Sequence, residues 1–249
     1  MFDKLRLLTF DLDDTLWATA PVILAAEHRL HRWLMLHAPE TVKNRSIEVM
    51  RKQRLDWMAN NPSQAHDLTL VRLKRLEALL DEFGYSPSLA VQGLQVFRQA
   101  RNEVVPWGDV LPVLKHLRRH YTLVSLTNGN AQVEQTPLKS CFHLSLSAED
   151  VGAAKPHPAM FHEVARRFGL DFGEMLHVGD DWERDILPAA RLGMVTAWVH
   201  RQPLGGQNRK RADSCLFNLY PLRVYLTKQH ISQIPRLEAY QRPKGANIH

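Results

Sequence analysis

The chain has 249 residues, 45% apolar and 23% charged, which fits one large or two smaller globular domains with a sizeable core. No run of roughly 18 apolar residues occurs, and the N-terminal segment lacks a signal-peptide pattern, so neither a transmembrane helix nor export is expected. The net charge of +6 is local: residues 201–249 carry nine Lys/Arg against two Asp/Glu, whereas residues 1–200 carry 23 basic and 24 acidic groups.

In chain order, Leu7-Leu-Thr-Phe10 is long enough for a buried strand and too short for a helix. It runs directly into three carboxylates, Asp11, Asp13 and Asp14. Like charges this close repel and raise one another's pKa, so a fold that keeps them needs a cation among them or a use for a protonated acid. After Thr15 the pattern becomes helical. Helices are predicted over residues 21–36, with Pro21 in the first turn, and from Ser46 to Asn60, Asp67 to Phe83 and Pro87 to Arg101. Residues 17–103 therefore read as an all-helical insertion with its own core.

From Val104 helices and strands alternate. A helix over Asp109–His120 precedes a strand at Thr122–Thr127, which stops at Asn128-Gly129-Asn130. A helical stretch near Ala131–Leu138, a strand at His143–Leu146, a helix from Pro158 to Phe168 and a strand at Met175–Val178 follow. That strand ends in Gly179-Asp180-Asp181. A helix from Arg184 to Arg191 and a strand at Met194–Val199 complete the pattern. Such alternation predicts an α/β fold: a doubly wound parallel sheet of Rossmann-like architecture, formed by residues 1–16 and 104–249. In the tail, residues 203–211 read as a loop, Ile231–Ile234 as an edge strand, Pro235 and beyond as helical or frayed, and residues 242–249 as disordered. Arg209-Lys210-Arg211 reads as a solvated loop, and nucleic acid is not the expected partner. Cys141 and Cys215 lack ligand spacing and read as reduced thiols, which with the missing signal points to the cytoplasm.

Ligands of an open parallel sheet bind at the carboxyl ends of its strands. The predicted strands deliver Asp11 and Asp13, then Thr127, Asn128 and the Gly129 backbone, then Asp180, Asp181 and Asp185, while a loop brings Lys155. Carboxylates from separate strands, with one lysine and one hydroxyl, suit a hard divalent cation beside a phosphate. His157, His177 and His200 read as ordinary polar or core histidines. Trp17, Trp57 and Trp107 read as core or hinge residues.

Asp11-Leu-Asp13-Asp14-Thr15, Leu126-Thr127-Asn128-Gly129, Lys155-Pro156 and Gly179-Asp180-Asp181 followed by Asp185 resemble, in order and spacing, the four motifs of the haloacid dehalogenase superfamily. The resemblance covers residues 5–200, and the helical insertion resembles that superfamily's cap. It implies that Asp11 is a nucleophile forming an aspartyl-phosphate and that Asp13 is a general acid, then base. It implies that Asp11, the Asp13 carbonyl and Asp180 hold Mg2+, and that Asp185 orients the metal's waters or Lys155. Thr127 and the N–H groups of Leu12, Asp13, Asn128 and Gly129 would bind phosphate oxygens, and Lys155 would neutralise charge. An acid two residues after the nucleophile favours phosphomonoester hydrolysis over halide displacement. Leu8–Leu16, Pro21–Leu24, Leu126–Ala131 and Leu176–Asp181 are similar to bacterial phosphatases of riboflavin biosynthesis, which act on 5-amino-6-(5-phospho-D-ribitylamino)uracil and FMN. The chain departs from them across most of the insertion and in the basic tail. The expected partner is a small phosphomonoester, with no membrane, in a monomer or weak dimer.

Overall fold

The computed structural model describes residues 4–201 and 214–228. Its centre is one sheet of six parallel strands: β1 (Leu7–Phe10), β2 (Thr122–Thr127), β3 (Leu144–Ser147), β4 (Met175–Gly179), β5 (Val195–Val199) and β6 (Ser214–Leu216). Their order is β3-β2-β1-β4-β5-β6. β1, β4 and β5 are buried along their whole length, as strands covered on both faces must be, and this explains their continuous apolar runs. The strand order reverses at β1, which pairs with β2 on one side and β4 on the other. Phe10 stands level with Ser125 and Val178 in that register. Residues following β1, β2 and β4 therefore leave the sheet side by side, at the switch point where such folds bind ligands.

The insertion after β1 holds four α-helices: α1 (Thr19–His37), α2 (Ile47–Asn60), α3 (Leu68–Asp81) and α4 (Ser88–Arg101). Their starts follow from side-chain caps. Ser46 Oγ accepts from Val49 N–H and Asp67 Oδ1 from Leu70 N–H, satisfying donors that a helix start leaves orphaned. Ala26, Leu30 and Leu34 of α1 pack with Leu76, Leu79 and Leu80 of α3 and Leu94 and Phe97 of α4 in a core separate from that of the sheet. The chain enters and leaves this insertion at one point: Trp17 bridges to Pro106, and Trp107 N–H donates to Leu16 O at 3.0 Å.

α5 (Val110–Leu117) and α9 (Tyr220–Lys228) cover one sheet face, meeting Leu8, Phe10 and Leu123. α6 (Ala148–Val151), α7 (Ala159–Phe168) and α8 (Leu187–Arg191) lie on the other side, where Met160, Phe161 and Ala189 meet Leu7, Val124 and Leu126.

Three expectations need correction. Residues 131–138 form no helix beyond a 3-10 turn at Val133–Gln135. Thr136 is extended because Pro137 follows it and disfavours the helical region, and its Oγ1 is hydrogen-bonded to Val133 O and Leu138 N–H. The helix expected from Arg184 begins only at Leu187, after a π-helical turn over Trp182–Ile186. The tail is more regular than its composition suggests: Ser214–Leu216 add a sheet edge beside β5, and α9 packs on α5. The loop at 203–211, the strand at Ile231–Ile234 and the stretch from Pro235 on, residues 242–249 included, lie outside the described residues. Asp109 ties the tail down. It accepts from Leu219 N–H at 2.7 Å and from Arg201 Nη1 through both oxygens at 2.9 Å. Among the described residues, no helix is long and apolar enough to cross a membrane.

Leu219 is fully buried against the sheet core. Leu219→Ala is expected to cost about 2–4 kcal/mol of unfolding free energy in urea titration, as for other buried leucines. A change within about 0.5 kcal/mol, the size of a surface substitution, would mean that α9 is not part of the core.

Candidate active site

Lys155 is the hub of the strand ends. Its side chain is 1% exposed, and Nζ donates to Asp11 Oδ1 at 2.7 Å, Asp185 Oδ1 at 2.6 Å and Leu126 O at 2.8 Å. Three partners match the three donors of an ammonium group. Burial works against the charged lysine, but Asp11 and Asp185 outweigh it and raise its pKa. Asn128 fixes the backbone of the same residue: its Nδ2 donates to Lys155 O at 2.8 Å, and its Oδ1 accepts from Lys155 N–H at 2.7 Å.

Asp185 is buried, and every partner it has is a donor. Lys155 Nζ and His177 Nε2 reach Oδ1, and Asp181 N–H donates to Oδ2 at 3.1 Å. Burial alone would raise its pKa; Lys155 and His177 reverse the sign and hold it well below the usual carboxylate range. Gly179 makes room for this side chain, since a Cβ there would collide with Asp185. Asp11 differs. Burial pushes its carboxyl up, Asp185 and Asp180 add to the shift, and Lys155 opposes it without cancelling it. Thr15 Oγ1 lies 3.1 Å from Asp11 Oδ2 and 2.8 Å from Asp180 Oδ1, bridging the ends of β1 and β4.

Asp11, Asp180 and Asp185 each place a carboxylate oxygen within 4.8 Å of the others. One ammonium does not balance three acids. The imbalance shows at Asp180, whose pKa is pushed up to about 7, first by burial and then by Asp185 and Asp14, with Thr15 opposing. Hard oxygen donors with a deficit of positive charge fit a divalent cation of the magnesium, calcium or manganese kind.

Asp13 stands apart from that cluster. Arg101 Nη2 donates to its Oδ1 and Oδ2 at 2.8 and 2.6 Å, and Trp17 Nε1 to Oδ1 at 2.9 Å. Thr127 is buried at the end of β2, where its Oγ1 accepts from Gly129 N–H at 2.9 Å. The Leu12 side chain is buried in the sheet core, and its carbonyl accepts from Leu16 N–H. The structure thus gathers Asp11, Lys155, Asp180 and Asp185 directly, with Asp13, Thr127 and Gly129 beside them.

Asp14 and Asp181, to which the resemblance assigns no role, are helix-start residues. Asp14, at φ 59°, accepts from Thr19 N–H at 2.9 Å. Asp181 Oδ1 accepts from Glu183 and Arg184 N–H, both at 2.9 Å. Sequence reasoning missed Arg101, which is 88 residues from Asp13. It also passed over His177, read as a core histidine. That ring is fully buried on β4, 2.8 Å from Thr9 Oγ1 and 3.3 Å from Asp185, and burial lowers its pKa. Thr15 lies within the first motif, and its hydroxyl four residues after Asp11 was the available signal.

A family model described as haloacid dehalogenase-like hydrolase matches residues 5–193. The chain is a haloacid dehalogenase-like hydrolase. Among curated relatives of this hydrolase, the Escherichia coli K12 5-amino-6-(5-phospho-D-ribitylamino)uracil phosphatase YigB is 32% identical over 86% of this chain and 90% of its own. A glyceraldehyde 3-phosphate phosphatase of Methanopyrus kandleri is 26% identical over 79% of this chain and 84% of its own. Among solved structures, a 2-haloacid dehalogenase from Pseudomonas syringae pv. tomato DC3000 superposes with a TM-score of 0.83 at 36% identity, covering 90% of this chain and 99% of that one.

The Asp180 shift gives a pH dependence. Between the ordinary carboxylate range and about 7, the folded metal-free hydrolase holds a proton on Asp180 that the unfolded chain has lost. Its stability therefore falls as pH rises through that window. A cation must displace the same proton. Calorimetric titration with Mn2+ is expected to show proton release and weak binding about one unit below that pKa, and tighter binding without release about one unit above it. Affinity independent of pH would contradict this account of the acid cluster.

Proposed function

We propose that the hydrolase is a magnesium-dependent phosphomonoesterase working through an aspartyl-phosphate, with 5-amino-6-(5-phospho-D-ribitylamino)uracil or FMN as its substrate. The carrying observation is that two aspartates two residues apart have opposite surroundings. Asp11 lies in the cationic and carboxylate cluster at the sheet edge, and Asp13 is held outside it by Arg101 and Trp17. Such a pair separates nucleophile from proton carrier.

In this reading an Asp11 oxygen attacks phosphorus, and the ester oxygen leaves with the proton of Asp13. The Asp13 carboxylate then takes a proton from the water that attacks the phosphorus of the aspartyl-phosphate, releasing phosphate and restoring both acids. Lys155 fixes Asp11 and offsets its charge while the phosphoryl group approaches. Thr127 with the Leu12, Asp13 and Asn128 N–H groups holds phosphoryl oxygens, while the Gly129 N–H that the resemblance adds to this set donates to Thr127 Oγ1. Magnesium, held by Asp11, the Asp13 carbonyl and Asp180, would neutralise phosphoryl charge, with Asp185 keeping Lys155 in place. Residues 17–103 act as the cap over the site, which residues 1–16 and 104–249 provide.

The dehalogenase among the structural neighbours suggests a second reading. A halide leaves without a proton, whereas an alkoxide does not, so that chemistry has no use for Asp13. The substrate assignment rests on the YigB likeness. Other small sugar phosphates are the alternative, as the glyceraldehyde 3-phosphate phosphatase suggests. A nucleic-acid role for the basic tail loses Arg201, which is committed to Asp109 and the Thr15 carbonyl.

Phosphate release with Mg2+ should be measured on the ribitylaminouracil phosphate, FMN, a panel of sugar phosphates and a 2-haloacid. The first two are expected to turn over best, with no halide released. Equal or faster turnover of unrelated sugar phosphates would remove the substrate assignment. Asp11→Asn should fold and lose at least about 1,000-fold in kcat, as for other covalent nucleophiles; retained turnover would mean that Asp11 is not the nucleophile.

A further inference from the structure

Two side chains of the insertion that none of the four motifs contains, Trp17 and Arg101, reach Asp13. Arg101 closes α4 and is 1% exposed. A single nitrogen, Nη2, reaches both oxygens of Asp13, and Trp17 Nε1 reaches one of them. Gly129 supplies the third wall. A Cβ at that position would collide with Asp13 Oδ2 and lie 3.0 Å from Arg101 Nη2 and 3.2 Å from Thr127 Oγ1. Three segments distant in sequence therefore meet at one point beside the Asp13 carboxylate.

The insertion has ties to the sheet other than Arg101. Asn102 Oδ1 accepts from Gln132 N–H at 2.8 Å, Asn102 Nδ2 donates to Gln135 at 3.0 Å, and Trp17 bridges to Pro106. The guanidinium is not satisfied where it stands: Nε and Nη1 are buried without hydrogen-bond partners. Buried donors are rarely left unpaired, and one tolerated at a site points to a task other than stability. The one nitrogen in use is spent on Asp13.

We propose that Arg101 is a positioning residue that holds the Asp13 carboxyl group where it meets the ester oxygen, so that the general acid is assembled only when the helical insertion is seated on the sheet. This rests on the reading of Asp13 as proton donor. It gives the insertion a part in the chemical step in addition to covering the site.

The test compares kcat/KM for ribitol 5-phosphate, whose alkoxide needs a proton to leave, with that for p-nitrophenyl phosphate, whose phenolate does not. In Arg101→Met the alkyl substrate is expected to fall about 100-fold, the lower end of general acid catalysis, and the aryl substrate less than about threefold. Arg101→Lys, which keeps the cation but not the guanidinium fork, should lose the alkyl substrate by only about tenfold, and it decides the matter if the Met variant does not fold. Equal losses on both substrates, or none on the alkyl one, in a protein that melts like the parent overturns the proposal. Asp13→Asn on the same pair separates the role of Asp13 from that of Arg101. If it shows no preference, Asp13 is not the acid; if it is selective while the Arg101 variants are not, only the role of Arg101 fails.

Discussion

The buried ammonium of Lys155 is the interaction on which the rest of the site depends. It draws Asp11 from β1, Asp185 from the turn after β4 and the Leu126 carbonyl from β2 onto one atom. Removing one partner of such a pair leaves an uncompensated charge in the interior, typically at about 3–5 kcal/mol. Much of the local architecture serves to prevent this. Asn128 clamps the lysine's backbone, His177 and the Asp181 N–H hold Asp185 from behind, and Gly179 leaves the space that Asp185 occupies. A neutral His177 ring donating to Asp185 can accept from Thr9 at its other nitrogen, which extends the network into the middle of the sheet.

A second constraint follows from charge. Lys155 does not balance Asp11, Asp180 and Asp185 together, and Asp180, the buried member without a cation of its own, answers by holding its proton up to about pH 7. The same arrangement that makes the metal-free site expensive suits it to a divalent cation. Asp13 escapes the cluster because alternate residues of an extended chain share a side but not necessarily a partner. Trp17 and Arg101 turn it toward the insertion. The division between the two aspartates is thus set by what surrounds them.

Most of this was legible in the sequence where cause and effect are local. β1, β4 and β5 announce themselves because strands covered on both faces read as unbroken apolar runs. α2 and α3 begin one residue after a capping Ser46 and Asp67. The order of the four motifs identified the family, and Asp11, Lys155, Asp180 and Asp185 do converge. What was hidden depends on tertiary partners. β6 is three residues long and forms only because β5 offers an edge. Arg101 looks like an ordinary basic residue at a helix end. His177 looks like a core histidine until its neighbours are known. Pro137 was visible, and its effect on Thr136 was the local signal against a helix over residues 131–138.

In the proposed mechanism Asp11, one of the two carboxylates paired with Lys155, becomes phosphorylated during turnover. Acid quenching the enzyme with substrate and Mg2+, followed by peptide mass spectrometry, tests it most directly. The account predicts one added phosphoryl group on the peptide containing Asp11, localised to that residue and absent when the divalent cation is chelated. Turnover with the phosphoryl group found on another residue would contradict it.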